Sequence, residues 1–142
     1  MSLPDTNSVI RAYLTTDLGL FALVGIRIYC PRMPENATLP ALTFFTRGGT
    51  SLPIKNGVVS PSIQFNCWAD NPIEARQVYG ALFDFLQGLG GYYTKAQPVV
   101  VGANTYYIYQ AREEVQGQDL QDVDIPSYFT VVCFYEIKIR AY

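Results

Sequence analysis

A chain of 142 residues, 49% apolar and only 15% charged, is long enough for one self-sufficient domain and too apolar to be disordered. Ten basic and twelve acidic residues leave a net charge of −2, which argues against a strongly basic nucleic-acid-binding surface. Histidine is absent, which excludes Ser-His-Asp triads, Cys-His nucleophiles and histidine metal ligands together. The three cysteines, Cys30, Cys67 and Cys133, are odd in number and far from any CxxC spacing. They form no zinc pattern and are expected to be reduced, as in a cytoplasmic setting. No N-terminal segment resembles a signal peptide and no apolar run approaches a membrane-spanning length, so a complete, soluble chain is expected. Eleven tyrosines among so few charges suit a surface buried in partners, or equally an aromatic-rich sheet.

In chain order, Ser2-Leu3-Pro4-Asp5 opens like a capped helix, and Val9, Ile10, Tyr13 and Leu14 form its apolar stripe. That helix is predicted from about Pro4 to Thr16. Asp17 can cap a second short helical piece, Leu18 to Val24, which Gly25 stops. Ile26 to Tyr29 is short and extended. Pro31, Pro34 and Pro40 exclude a regular element between them and mark a surface connection. Leu42 to Arg47 reads as a strand, with Phe44 and Phe45 on opposite faces, and Gly48 to Pro61 as a long loop. From Ser62 to Trp68 the residues alternate, placing Ile63, Phe65 and Cys67 on one face of a half-buried strand. The period then changes: Ala75, Val78, Leu82, Phe85, Leu86 and Leu89 recur at steps of three and four, on one side of a helix. Asn71 is its N-cap, Pro72 its first residue, and Glu74 is placed to reach back to the Asn71 amide; Gly88, Gly90 and Gly91 end it. Tyr92 to Pro98 is irregular, Val99 to Val101 a short strand, and Gly102 to Asn104 a turn. Thr105 to Val115 is a longer strand, and Gln116 to Pro126 a second polar loop. Tyr128 to Arg140 is the longest strand, with Phe129, Val131, Cys133, Tyr135, Ile137 and Ile139 on its core face.

This order predicts one α+β domain over residues 1–142. It has a mainly antiparallel β-sheet, two α-helices packed on one face and two long loops.

Little in the chain carries chemistry. Glu113, Glu114, Asp119, Asp122 and Asp124 hold five of the twelve acidic residues, but without the spacing, glycine or terminal glutamate of an EF-hand loop. A solvated acidic loop is the better reading than a metal site. Nothing places two carboxylates in a cleft for glycoside chemistry. Gly48-Gly49 and Gly90-Gly91 lack the Lys-Ser or Lys-Thr of a phosphate loop and read as turns. Trp68 is a ligand platform or, more ordinarily, packing. Arg47 and Lys55 flank the first loop and either meet acids on a neighbouring subunit or are solvated. Composition and spacing therefore describe a soluble α+β domain that is not an enzyme, with no catalytic, cofactor or metal residue.

The run Leu20-Phe21-Ala22-Leu23-Val24-Gly25-Ile26-Arg27-Ile28-Tyr29, followed by Pro31, Pro34 and Leu39-Pro40-Ala41-Leu42, resembles the N-terminal part of one phage family. These are the tail completion, or tail terminator, proteins of long-tailed (siphovirus-type) bacteriophages. Ile63-Gln64-Phe65-Asn66-Cys67-Trp68-Ala69, with Glu74-Ala75 opening a helix, is similar to that family's middle segment, and the apolar strand Phe129 to Ile139 fits its C-terminal part. The resemblance implies a small α+β protein that forms a ring, usually a hexamer, at the head-proximal end of the tail tube. There it ends tube polymerisation and offers a docking surface to the head connector. Its implied partners are further copies of itself, the major tail tube protein and the head-completion protein. DNA would pass through its lumen without sequence-specific binding, and no membrane is involved. Its place would be the virion tail, after assembly in the host cytoplasm. On this reading the acidic loop from Gln116 to Asp124 lines or rims the lumen, where like charge lets DNA slide. Arg47, Lys55, Glu113, Glu114, Asp119, Asp122 and Asp124 are the candidate lumen or interface residues. The alternatives are another head–tail joining (neck) component, and a small ligand-binding regulatory domain with a pocket between sheet and helix near Trp68 and Tyr79.

Overall fold

Alternation from Ile63 to Cys67 makes the strand on which the fold is built. In the computed structural model, which describes residues 5–34, 36–51, 58–87, 97–121 and 128–140, this strand is β3 (Val58–Ala69). It pairs antiparallel with β6 (Phe129–Arg140), setting Phe65 opposite Cys133 and Cys67 opposite Val131. β2 (Ala41–Ser51) lies antiparallel on the other side of β3, and the two-residue β1 (Ile28–Tyr29) joins β2 in parallel. β5 (Asn104–Gln121) flanks β6 and carries β4 (Gln97–Val101) at the far edge. The six strands run in the order β1-β2-β3-β6-β5-β4.

Because side chains alternate along paired strands, one face collects Leu42, Phe44, Ile63, Phe65, Cys67, Ile108, Cys133, Tyr135, Ile137 and Ile139, all buried. The helices α1 (Thr6–Leu14), α2 (Leu18–Val24) and α3 (Pro72–Gln87) cover this face. α3 lies over β3, β6 and β5, while the nine-residue α1 touches both β2 and β4. On a flat sheet β2 and β4 would stand roughly 19 Å apart, four strand spacings. The sheet therefore curls around its helices to bring both to α1. Polar ties fix the layers: Thr46 Oγ1 bonds Asn7 Oδ1 in α1 at 3.0 Å, and Gln87 Nε2 donates to the Ala111 carbonyl at 2.8 Å. Aromatic rings fill the centre. Phe65 stands edge-on to Tyr135 at 5.6 Å and tilted to Phe44 at 6.1 Å, while Tyr13 packs on Phe85 at 4.6 Å.

Among the described residues there are three helices rather than two. Asp17 accepts from the Leu20 amide at 2.9 Å, and this cap starts α2 as a helix of its own, with Leu20 and Val24 buried. The α3 cap also differs in detail. Asn71 Oδ1 accepts from the Glu74 amide at 2.8 Å, but Glu74 reaches the Asn71 side-chain amide, at 3.2 Å, instead of its backbone amide.

Part of each expected long loop is strand instead. Gly49 to Ser51 pair with Val59 to Pro61, so this part of the first loop is strand; Lys55 and the rest of residues 52–57 lie outside the described residues. Gly49 is not a turn but the end of a bulge that follows Thr46. Its φ is +132°, and a Cβ there would collide with the Ser60 carbonyl and with Pro61 Cα. β5 likewise runs on to Gln121, with Gln118 opposite Val132 and Asp119 opposite Val131. Three irregularities between Ile108 and Gln118 break its alternation, which hides the strand from a period-two reading. Asp122 and Asp124 lie outside the described residues. Among those described, no helix is long and apolar enough to cross a membrane.

Two substitutions test this packing. Gly49→Ala is expected to cost about 2 kcal/mol or more of unfolding free energy. Phe65→Ala is expected to cost about 3–5 kcal/mol by opening a cavity between Phe44 and Tyr135. Urea denaturation followed by circular dichroism measures both.

Candidate functional site

Among the described residues, no helix lies on the second face of the sheet. Thr43, Phe45 and Arg47 of β2, Ser62 and Trp68 of β3, and Phe134 to Arg140 at alternate positions of β6 point to it, because their neighbours in sequence point to the core. A polar strap crosses this face. Arg47 Nε donates to Ser62 Oγ at 2.9 Å, and Ser62 Oγ donates to Glu114 Oε1 at 2.7 Å. The strap joins β2, β3 and β5 across the intervening β6, and the Arg47 guanidinium lies 4.0 Å above the Phe134 ring. Further along β6, Arg112 meets Glu136 at 3.3 Å. Arg140 lies 4.9 Å from the Tyr109 ring and 5.9 Å from that of Tyr107. At the other end, Trp68 Nε1 donates to Thr43 Oγ1 at 3.0 Å and the indole stands edge-on to Tyr128 at 6.4 Å. Exposed ion pairs and cation–π contacts are each worth only about 0–1 kcal/mol. The effect of these contacts is therefore on order: flat guanidiniums and rings are held in place over an open sheet.

A second cluster lies between sheet and α3. The Tyr79 hydroxyl donates to Glu113 Oε2 at 2.6 Å. Burial, reinforced by that bond, pushes the Tyr79 pKa up to about 12. Tyr135 is fully buried, its hydroxyl makes no hydrogen bond, and burial above all holds its pKa above the ordinary range. Cys67 and Cys133 are free and buried; the contact with Cys67 and then burial push the Cys133 thiol up. Tyr79, Tyr135 and Cys133 stay protonated at neutral pH, so none of these three is a ready nucleophile.

Two adjoining apolar clefts flank the first turn of α3. One, of about 240 Å³, lies between Pro72, Ala75, Leu120 and Phe129; the other, of about 460 Å³, is lined by Ile73, Arg76 and Gln77. Asp119 lines both, and Arg76 holds it at 2.9 Å while donating to the Gly117 carbonyl at 3.1 Å.

Of the described residues singled out in the sequence, the structure joins Arg47 to Glu114, through Ser62, and Tyr79 to Glu113. The acidic segment is not one patch. Glu113 faces α3, Glu114 faces the open side, and Asp119 is paired with Arg76; Lys55, Asp122 and Asp124 lie outside the described residues. Among those described, no three Cys, Asp or Glu side chains come together as a metal would need. Trp68 and Tyr79 stand on opposite faces of the sheet, so they line no common pocket. Ser62, Arg76 and Phe134 escaped the sequence reading. Only Phe134 left a signal there, as an aromatic on the otherwise increasingly polar side of the last strand.

No protein-family model matches the chain, and no curated protein matches it in sequence. Solved structures do match. A chain of the virion of a native gene transfer agent (GTA) particle superposes with a TM-score of 0.56 at 14% identity, over 96% of this chain and 98% of that chain. At that identity the likeness is one of fold, and it runs the length of both chains.

Folding raises the Tyr79 pKa above its ordinary value of 10.0, so it favours the neutral phenol. That contribution is complete below about pH 10 and is lost as the pH rises towards 12. The urea midpoint is expected to fall across this interval, and to fall less steeply in Tyr79→Phe. A midpoint that is flat through pH 12 would contradict the assignment.

Proposed function

We propose that the protein is a structural component of a phage-type virion, and specifically a tail terminator. Copies of it close into a ring, most simply a hexamer, at the head-proximal end of the tail tube. The ring ends tube polymerisation and joins the tail to the head, so its partners are the tube protein below and a connector above. DNA passes through the lumen. The protein works by contact and not by catalysis.

The fold likeness to a virion chain, end to end in both molecules, carries this reading. The run from Leu20 to Leu42 and the alternating strand from Ile63 to Ala69 support it from the sequence side. The surface also suits an assembly. Only 15% of residues are charged, no described helix lies on one sheet face, and large apolar side chains stand in solvent: Leu18 at 84% exposure, Ile26 at 77% and Ile73 at 73%.

Light scattering across a concentration series, alone and with preassembled tail tubes, tests the proposal. A ring of about 95 kDa, six copies of 15.9 kDa, or caps at tube ends seen by electron microscopy, is expected. A protein that stays monomeric and ignores tube ends would overturn it.

A further inference from the structure

We infer that the bare sheet face of one copy receives the solvent side of α3 from a second copy of this chain. The inference rests on the ring reading above and names the two surfaces that build the ring.

Charge is divided between the two sides of the molecule. Among the described residues the bare face carries Arg47, Arg112, Lys138 and Arg140 against Glu114 and Glu136, four cations to two acids, or +2. All other described residues hold four cations (Arg11, Arg27, Arg32, Arg76) against seven acids, or −3. The acids include Asp70, Glu74 and Asp84, in and just before α3. Opposite potentials on two different patches of one chain attract copies head to tail, and such an interface repeats until it closes.

Each of the two patches holds charges that remain unpaired among the described residues. Lys138 has no ion pair or hydrogen bond among the described residues, and Arg140 Nε is buried without a partner. On α3, Asp84 is exposed and likewise unpaired.

The helix carries a further mark. Ile73, Gln77, Gly80 and Asp84 fall on one stripe at helical spacing, and the three with long side chains are exposed. Gly80 sits in the middle of a 16-residue helix, where glycine is weaker than alanine. No described residue asks for it: a Cβ at Gly80 would meet none of their atoms within 4 Å. A gap in the side-chain layer at mid-helix lets another surface approach the backbone. The rings of Phe134, Tyr107 and Tyr109, flattened under their arginines, offer such a surface. The sheet face has room for it, since α3 is about 24 Å long and the 12-residue β6 about 40 Å.

Gly80→Leu, Asp84→Lys and the double change Lys138→Glu/Arg140→Glu test the pairing, with Gly80→Ala as control. Light scattering and tube-end binding read assembly; circular dichroism and thermal unfolding read the fold. Gly80→Ala is expected to fold at least as stably as the parent. Gly80→Leu should also keep its fold, yet need roughly tenfold or more protein to assemble. Each charge reversal should weaken assembly, and Asp84→Lys combined with Lys138→Glu in one chain should recover part of the loss. If the parent forms rings and all these variants do so equally well, the docking faces are wrong while the ring stands. If the parent assembles neither alone nor on tubes, the ring reading fails and this inference with it. If Gly80→Leu assembles normally while Lys138→Glu/Arg140→Glu loses affinity for duplex DNA, the cationic face serves nucleic acid and the subunit pairing is overturned.

Discussion

The antiparallel pairing of β3 with β6 is the constraint from which the rest of the structure follows. It stacks Phe65 against Cys133 and Ile63 against Tyr135 in one buried layer, all of them closed to solvent. A slip of one residue would exchange this layer for Gln64, Asn66, Phe134 and Glu136, so the register is set by burial itself. β2 and β5 are then placed by hydrogen bonding to the two outer sides of this pair. α3 follows β3 after only Asp70 and Asn71, which obliges it to fold back over the sheet it has just left.

Covering one face has a consequence for the other. The sheet curls towards its helices until β2 and β4 both reach α1, and no described helix lies on the opposite face. An uncovered sheet face in a single domain needs either polar side chains or a partner. This one has a mixture. Arginines lie on aromatic rings and a Ser62-centred strap spans the strands, so apolar rings are partly masked by groups that keep their charge. Such a face stays soluble by itself and still offers flat, rigid area for contact.

Chemistry is correspondingly sparse. The buried titratable groups, Tyr79, Tyr135 and Cys133, are all held in their protonated forms, and Glu113 is engaged by Tyr79. The proposed role in a tail ring asks for none of them to react. It asks for two unlike patches on a rigid body, and the division of charge between sheet face and helix side supplies them.

Much was legible from residues alone. Period-two alternation marks β3 and β6, and the three-four spacing from Ala75 to Leu86 marks α3, because burial on one side imprints its own period on the sequence. Caps and stops such as Asp17, Asn71 and Gly25 are local chemistry and can be read locally. Tertiary structure decided the rest. The first loop gives way to strand because Gly49 to Ser51 find partners in Val59 to Pro61, and pairing is a non-local bond that composition does not record. β5 continues past Val115 because its irregularities let polar residues stay in register with β6 while their side chains face water. The described part of the acidic run splits between two faces, Glu113 and Asp119 towards α3 and Glu114 away from it, because on a strand neighbours in sequence point to opposite faces. Arg47 and Glu114, 67 positions apart, meet through Ser62 only once four strands lie side by side. A contact of that kind depends on sheet order, which no stretch of the chain contains.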